Sequence, residues 1–176
     1  AVAAVRNSLG ATVEETINDL VAKTGDANPL VRLSAVLALA KRKDRDLLAI
    51  KAVAIALKDT EPRVVLVAAK GLGQAGWIDA TIDGCLRNLI IATLLKAADV
   101  YAQFGDALAT AISENAAKSA QTLQDLGLLD KSLWPPSEKC KGGVVLPPGT
   151  LPPPPQPDKP PGSGDGSGSG TGSNLT

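Results

Sequence analysis

The chain of 176 residues carries 18 basic and 18 acidic side chains, no His, no Met, two Cys, and as its only aromatics Trp77, Tyr101, Phe104 and Trp134. Without His there is no Ser/His or Cys/His nucleophile pair, no imidazole metal ligand and no side chain that titrates near neutrality unless strongly shifted. Zero net charge argues against the broad basic footprint that holds nucleic acid or anionic membrane, so binding to protein, without a catalytic residue, cofactor or metal, is the expected mode of action.

All 27 Ala lie before residue 121, and Ala is the best helix former, so residues 1–132 are read as one all-helical domain with a core of Ala, Leu, Ile and Val. The start, Ala1-Val2-Ala3-Ala4 without Met, fits either Met removal or cleavage of a targeting segment. Thr12-Val13-Glu14-Glu15 spells a capping box, in which a hydroxyl and a carboxylate three residues apart satisfy each other's orphan N–H groups. A first helix is predicted over about 13–24, closed by Gly25. Asp26-Ala27-Asn28-Pro29 supplies a turn, an N-cap and an N1 proline for a second helix that ends in the Lys41-Arg42-Lys43-Asp44 turn. A third is predicted over about 45–58, and a fourth opens at Asp59-Thr60-Glu61-Pro62 and ends at Gly73 to Gly76.

Shifting the sequence against itself by 33 residues lays Asp26 on Asp59, Pro29 on Pro62, Val31 on Val64, Leu33 on Leu66, Ala35 on Ala68 and Leu39 on Leu72. Such a period means stacked helical hairpins, each burying its apolar face against the next. Over about residues 12–76 the chain resembles the HEAT-like (armadillo-type) helical repeat family. The pattern of Asp, a turn with Pro, Val-Arg, a helical Ala and a closing Leu stands here as Asp26, Pro29, Val31-Arg32, Ala35 and Leu39, and again as Asp59, Pro62, Val64, Ala68 and Leu72-Gly73. Val65 replaces the Arg in the second unit, and no turn opens a third near Ala92-Thr93. The resemblance implies two repeat hairpins serving as a protein-binding platform.

From Ile78 to Val100 the residues Ile82, Leu86, Leu89, Ile90, Leu94 and Ala97 keep helical spacing, and after a bend near Gly105-Asp106 a partner helix carries Phe104, Leu108, Ile112, Ala116, Ala120 and Leu123 as its seam. A long antiparallel helical pair is therefore predicted over about 78–127. The second helix's other face, Thr110, Ser113, Asn115, Lys118, Ser119, Gln121, Thr122 and Gln124, suits solvent or a wet subunit contact. Charge divides too: residues 1–75 hold 11 basic and 8 acidic side chains and residues 76–132 hold 4 and 7, an asymmetry that head-to-tail self-association would use.

Eleven of the 13 Pro and 9 of the 17 Gly fall in residues 133–176, read as an extended Pro/Gly/Ser-rich tail. Leu151 to Pro161 is expected as polyproline II, and the Gly/Ser run after it cannot fold alone. Trp134, the apolar patch Val144-Val145-Leu146 and the terminal Leu175 are the candidate anchors for a partner, although Trp134 beside Pro135-Pro136 equally suits folding back on the body. Cys85 and Cys140 are read as a buried small hydrophobe and an incidental thiol, since two cysteines make no disulfide scaffold; a bond between them would staple tail to body.

Gly71-Leu72-Gly73-Gln74-Ala75-Gly76 spells the dinucleotide-binding GxGxxG, but it ends a helix where that chemistry requires a strand before and a helix after, so close packing is the expected role. The Lys41–Asp46 cluster mixes signs and reads as a solvated turn. Asn174-Leu175-Thr176 matches a glycosylation sequon at the chain's end. Charged residues interrupt every apolar run before it reaches the roughly 18 residues of a membrane span, and the body is read as soluble.

The function expected is a non-enzymatic structural or adaptor subunit of a large protein assembly, a virion being one home for such a chain. It would bind other subunits, copies of itself included, through helical surfaces and tail. The alternative is a HEAT-like helper lyase or chaperone acting on a chromophore-bearing or modified protein.

Overall fold

The computed structural model describes residues 15–42, 46–74 and 76–144. Among them all regular structure is helical: α1 (Ile17–Lys23), α2 (Pro29–Ala40), α3 (Leu47–Ala56), α4 (Pro62–Leu72), α5 (Gly84–Tyr101), α6 (Ala107–Asp125), a 3-10 turn (Lys131–Leu133) and the short α7 (Pro136–Lys139). Each of α1 to α6 starts on a side-chain cap. Asn28 accepts from the Leu30 amide and Glu61 from Arg63, both ahead of an N1 proline, while Asp46, Asp83 and Asp106 accept amides of the first turns of α3, α5 and α6.

Two boundaries differ from the sequence reading. The capping box of α1 is Thr16-Ile17-Asn18-Asp19, with the Thr16 hydroxyl accepting from the Asp19 amide at 3.2 Å and the Asp19 carboxylate taking the Thr16 amide; Thr12 lies outside the described residues. Both threonines are followed three positions on by an acid, so local chemistry did not choose between them. The long helix begins at Gly84 rather than Ile78. Gly76 turns the chain with φ 76° and Asp79 accepts from the Thr81 amide, so 76–83 is a loop that still buries Trp77 and Ile78. The Trp77 indole N–H is buried there without a hydrogen-bond partner among the described residues.

Helices α2, α4 and α6 lie in a row, with α1 packed on α2, α3 on α1, α2 and α4, and α5 on α6. The two helix pairs α1–α2 and α3–α4 are thus followed by the long antiparallel pair α5–α6, which extends the row through the α4–α6 contact. One core joins them, in which Leu39, Ile50, Leu72, Ile90, Ile91, Leu94 and Leu123 are fully enclosed, and Ile112 of α6 is buried as well. The seam predicted for α6 holds at Ile112, Ala116, Ala120 and Leu123, but Phe104 precedes the helix, is 55% exposed and makes a tilted ring contact with Tyr101.

Small residues set the spacing of the row. A Cβ added at Gly71 would stand 2.8 Å from the Ala40 Cβ, and one at Gly73 would stand 2.2 Å from the Ser119 hydroxyl of α6. Ser119 donates to the Ala69 carbonyl at 2.7 Å, and the Gln74 side chain donates to the Ala40 carbonyl at 3.1 Å. The GxGxxG stretch therefore closes α4 against both neighbours, with Gly71 and Gly73 occupied by protein packing. Gly73→Ala is expected to lose about 1–3 kcal/mol through overpacking, read from the urea midpoint. In a Ser119→Gly background, where the obstructing side chain is gone, the same substitution should cost less than it does in the unmodified protein; an equal cost in both backgrounds would mean the glycine serves something other than this contact.

The segment expected to begin the extended tail at 133 is packed on the body as far as Val144. Cys85 on α5 and Cys140 after α7 form a disulfide with Cα atoms 5.6 Å apart and 55 positions apart in sequence, which overturns the reading of two separate thiols. Noncovalent contacts prepare that pairing. Buried Asn88 of α5 donates to the Asp130 carbonyl at 2.8 Å and accepts from the Asp130 amide at 2.9 Å, a two-point clamp on the chain after α6. Arg87 donates to the carbonyls of Leu128, Ala80 and Ile82. Asp130 then caps the 3-10 turn through the Ser132 hydroxyl and amide, and those bonds hold its carboxyl below the usual range. The Pro/Gly-rich composition did not prevent docking because the anchoring groups come from α5.

Candidate interaction site at the tail root

The tail leaves the body beside a groove between α3 and α5. Its apolar wall is Leu47 and Ile50 from α3, Ile82 from the preceding loop and Leu86 and Leu89 from α5, enclosing about 640 Å³. Leu47 is 48% exposed, so the groove is open to solvent on its α3 side. Cys85 stands in the same wall, Lys51, Thr81 and Asp83 add polar groups to it, and beyond Cys140 the residues Lys141, Gly143 and Val144 complete the lining. Spacing explains the placement: Cys85 and Leu89, four apart, share one face of α5, with Leu86 beside them.

The candidate anchors separate here. Trp134 is half-buried and packs against the core next to a cis Trp134–Pro135 bond, the fold-back alternative rather than a free docking aromatic. Val144 is likewise partly buried against the core of its own chain, and the disulfide four residues earlier brings it to the groove. Val145, Leu146 and Leu175 lie outside the described residues, as do the polyproline stretch, the Gly/Ser run and Asn174-Leu175-Thr176.

At the turns between paired helices, Arg32 of α2 reaches across to Asp59 ahead of α4, with Nε to Oδ2 at 2.8 Å and Nη2 to Oδ1 at 2.9 Å, while its Nη1 donates to the Asp26 and Ala27 carbonyls. The hydrogen bonds to Asp59 hold the guanidinium above its ordinary pKa. Asp59 also accepts the Glu61 amide at 2.8 Å, so one carboxylate orders the turn and links the two units. The pair is structural. Burial, and behind it the charges of Asp59 and Glu61, push the nearby Tyr101 phenol up.

The polar face of α6 proves partly internal. Ser119 and Ser113 donate to carbonyls of α4 and α5, at Ala69 and Ala98, whereas Thr110, Asn115, Thr122 and Gln124 bond back to their own helix. Of the Lys41–Asp46 cluster, residues 43–45 lie outside the described residues, Arg42 donates to the Glu15 carbonyl, and Asp46 is spent as a cap. A second apolar groove of about 520 Å³ lies on the α1–α2 end of the row, lined by Leu20, Leu30, Val31 and Ala35, with Glu15 and Lys23 paired at its edge. No helix among the described residues is long and apolar enough to cross a membrane.

Sequence reasoning missed the disulfide, the Asn88 clamp and the groove itself. The only signal for the first was the presence of two cysteines, one of which lay in a segment whose composition read as unpacked. Compared with known proteins, the chain matches no protein-family model, no curated protein and no solved structure.

Proposed function

We propose that the protein is a non-enzymatic structural or adaptor subunit of a larger protein assembly, a HEAT-like helical platform that joins its neighbours through its helical surfaces and its Pro/Gly/Ser-rich tail. The observation that carries this reading is the rooting of the tail: a disulfide and a buried Asn fix its start on α5, after which 32 further residues follow Val144. Fully extended, a segment of that length spans at most about 110 Å, enough to reach well beyond the next subunit. A rooted, long, proline-rich arm is suited to bridging copies, since proline lowers the freedom lost on binding. The disulfide favours an oxidising setting, such as the extracellular space or the surface of a particle, over the cytosol in which a chromophore helper would work.

The test is a truncation placed after Val144, because a cut at 133 would also remove Trp134 and Cys140 from the body. The protein ending at Val144 should keep the melting temperature of the full chain and fail to join its assembly. Native mass measurement of the purified particle should give the full chain in fixed stoichiometry. Normal incorporation of the truncated protein would move the binding surface to the helices. Substoichiometric association with turnover of a modified protein would establish the helper activity instead.

A further inference from the structure

We propose that two copies of the chain pair through the outer face of α2, antiparallel about Ser34, and that the contact closes the apolar groove between α1 and α2. The row α2, α4, α6 has two ends, and they differ. At one end the outer face of α6 is polar, with Thr110, Glu114, Lys118, Gln121 and Asp125 on a single stripe opposite the buried Ile112, Ala116 and Leu123. A stack of helices that ends in water ends on such a face. At the other end the stripe opposite the buried Arg32, Ala35 and Leu39 reads Leu30, Ser34, Leu37 and Lys41, in which Leu30 is 55% and Leu37 40% exposed. Val31 and Ala38 lie beside it half-buried, and with Leu20 of α1 they line the groove of about 520 Å³. Aliphatic side chains grouped in this way on a terminal helix mark a contact surface.

A two-fold contact requires a surface complementary to itself, and the order of residues along α2 supplies one. With the helices antiparallel and Ser34 opposite Ser34, each Leu30 meets the other copy's Ala38, each Leu37 meets Val31, and each Lys41 reaches the turn that bears Asp26. Each leucine thus faces a smaller side chain, and the Ser34 and Ala38 surface lets the two helices approach closely. Charge selects the direction. A parallel pairing would set Lys41 beside Lys41 and Asp26 beside Asp26, whereas the antiparallel one sets opposite charges together, twice over by the two-fold axis. Glu15 and Lys23, the charged groups on the rim of the groove, are already paired within one chain, so closing it leaves neither without a partner. One helix face from each copy buries a modest area, so the dimer is a weak one.

Sedimentation of the purified full-length protein provides the test, so its failure leaves the reading as an assembly subunit standing, and the truncation after Val144 tests that reading separately. A monomer–dimer equilibrium is expected between micromolar and millimolar concentration. Leu30→Gln with Leu37→Lys should raise its dissociation constant at least about tenfold, while circular dichroism of the dilute monomer stays that of the unmodified chain, because both side chains face solvent in a single copy. The direction is tested by charge. Lys41→Glu and Asp26→Lys should each weaken self-association, and an equimolar mixture of the two should form a heterodimer, since both of its contacts then join opposite charges. Asp26 also accepts the Asn28 amide at 2.8 Å, so should that variant fail to fold, Lys41→Glu must still weaken the dimer more than Lys41→Gln does. A protein that stays monomeric at millimolar concentration, or a dimer that survives the leucine variant, overturns the proposal. Growth beyond the dimer would mean a head-to-tail contact, and a mixture without preference for the heterodimer would refute the antiparallel pairing. Dimers seen only after removal of residues 1–14 would give the face to the chain's own start, and that too overturns it.

Discussion

Replacing Arg32 by Ala should destabilise the protein by about 3–5 kcal/mol, the cost of leaving a buried carboxylate without its partner. The side chains of Arg32 and Asp59 are each only 8% exposed, so water screens neither well, and the substitution removes two bonds to Asp59 along with those to the Asp26 and Ala27 carbonyls. In a body of this size that corresponds to a fall in melting temperature of roughly 10–20 °C. The damage belongs to the orphaned charge more than to the lost attraction, and a second variant separates the two. Arg32→Met with Asp59→Asn leaves no buried ion, keeps an acceptor for the Glu61 amide and should recover more than half of the loss. Urea titration of Arg32→Met, Asp59→Asn and the double variant gives the coupling directly. A single-variant loss below about 1 kcal/mol would mean that the units are held together by the apolar row alone.

This ion pair was half legible in the sequence. The 33-residue register aligned Asp26 with Asp59 and showed Arg32 facing Val65, which announces that a ladder of such pairs has one rung. It did not show that the rung runs forward, from Arg32 to the Asp of the next unit. Helix starts were legible wherever a cap and a proline coincided, as at Asn28-Pro29 and Glu61-Pro62, because two independent requirements then point to one residue. They were misplaced where one signal stood alone. At Thr12 the box pattern recurs at Thr16, and at Ile78 the apolar spacing continued into a loop that buries Trp77 and Ile78 without being helical. Periodicity reports burial, and a buried loop imitates a helix over a few residues.

The candidate site was less legible than the fold because its parts come from distant positions. Composition marks the tail at 133, but the attachment of 133–144 depends on Asn88, Arg87 and Cys85, more than 40 positions upstream. The uncharged face of α6 illustrates the same limit. Ser113 and Ser119 look like solvated residues in sequence, yet each satisfies a carbonyl on a neighbouring helix, because small hydroxyl side chains let helices approach closely while supplying a donor.

Opening the Cys85–Cys140 bond should lower stability by up to about 4 kcal/mol, since chain entropy assigns roughly that to a closed loop of some 55 residues. The loop contains all of α6, so in the unfolded chain the cross-link restricts a third of the body, whereas in the folded chain the Asn88 clamp and the packing of Trp134 and Val144 already hold the same segment. The effect therefore belongs mainly to the unfolded state. Helical content at 25 °C should be almost unchanged by a dithiol reductant, which is itself oxidised as the bond becomes two thiols, while the thermal midpoint falls by roughly 10–20 °C. The urea m-value should rise, because a chain freed of its cross-link unfolds to a more expanded ensemble. Circular dichroism melts of the same full-length protein with and without reductant measure all of this, and the Cys85→Ser/Cys140→Ser double variant should be insensitive to the reductant. A midpoint that the reductant leaves unmoved in the unmodified protein would mean that the two sulfurs are not bonded in the folded molecule, and the tail would then owe its root to Asn88 and the apolar contacts of Trp134 and Val144.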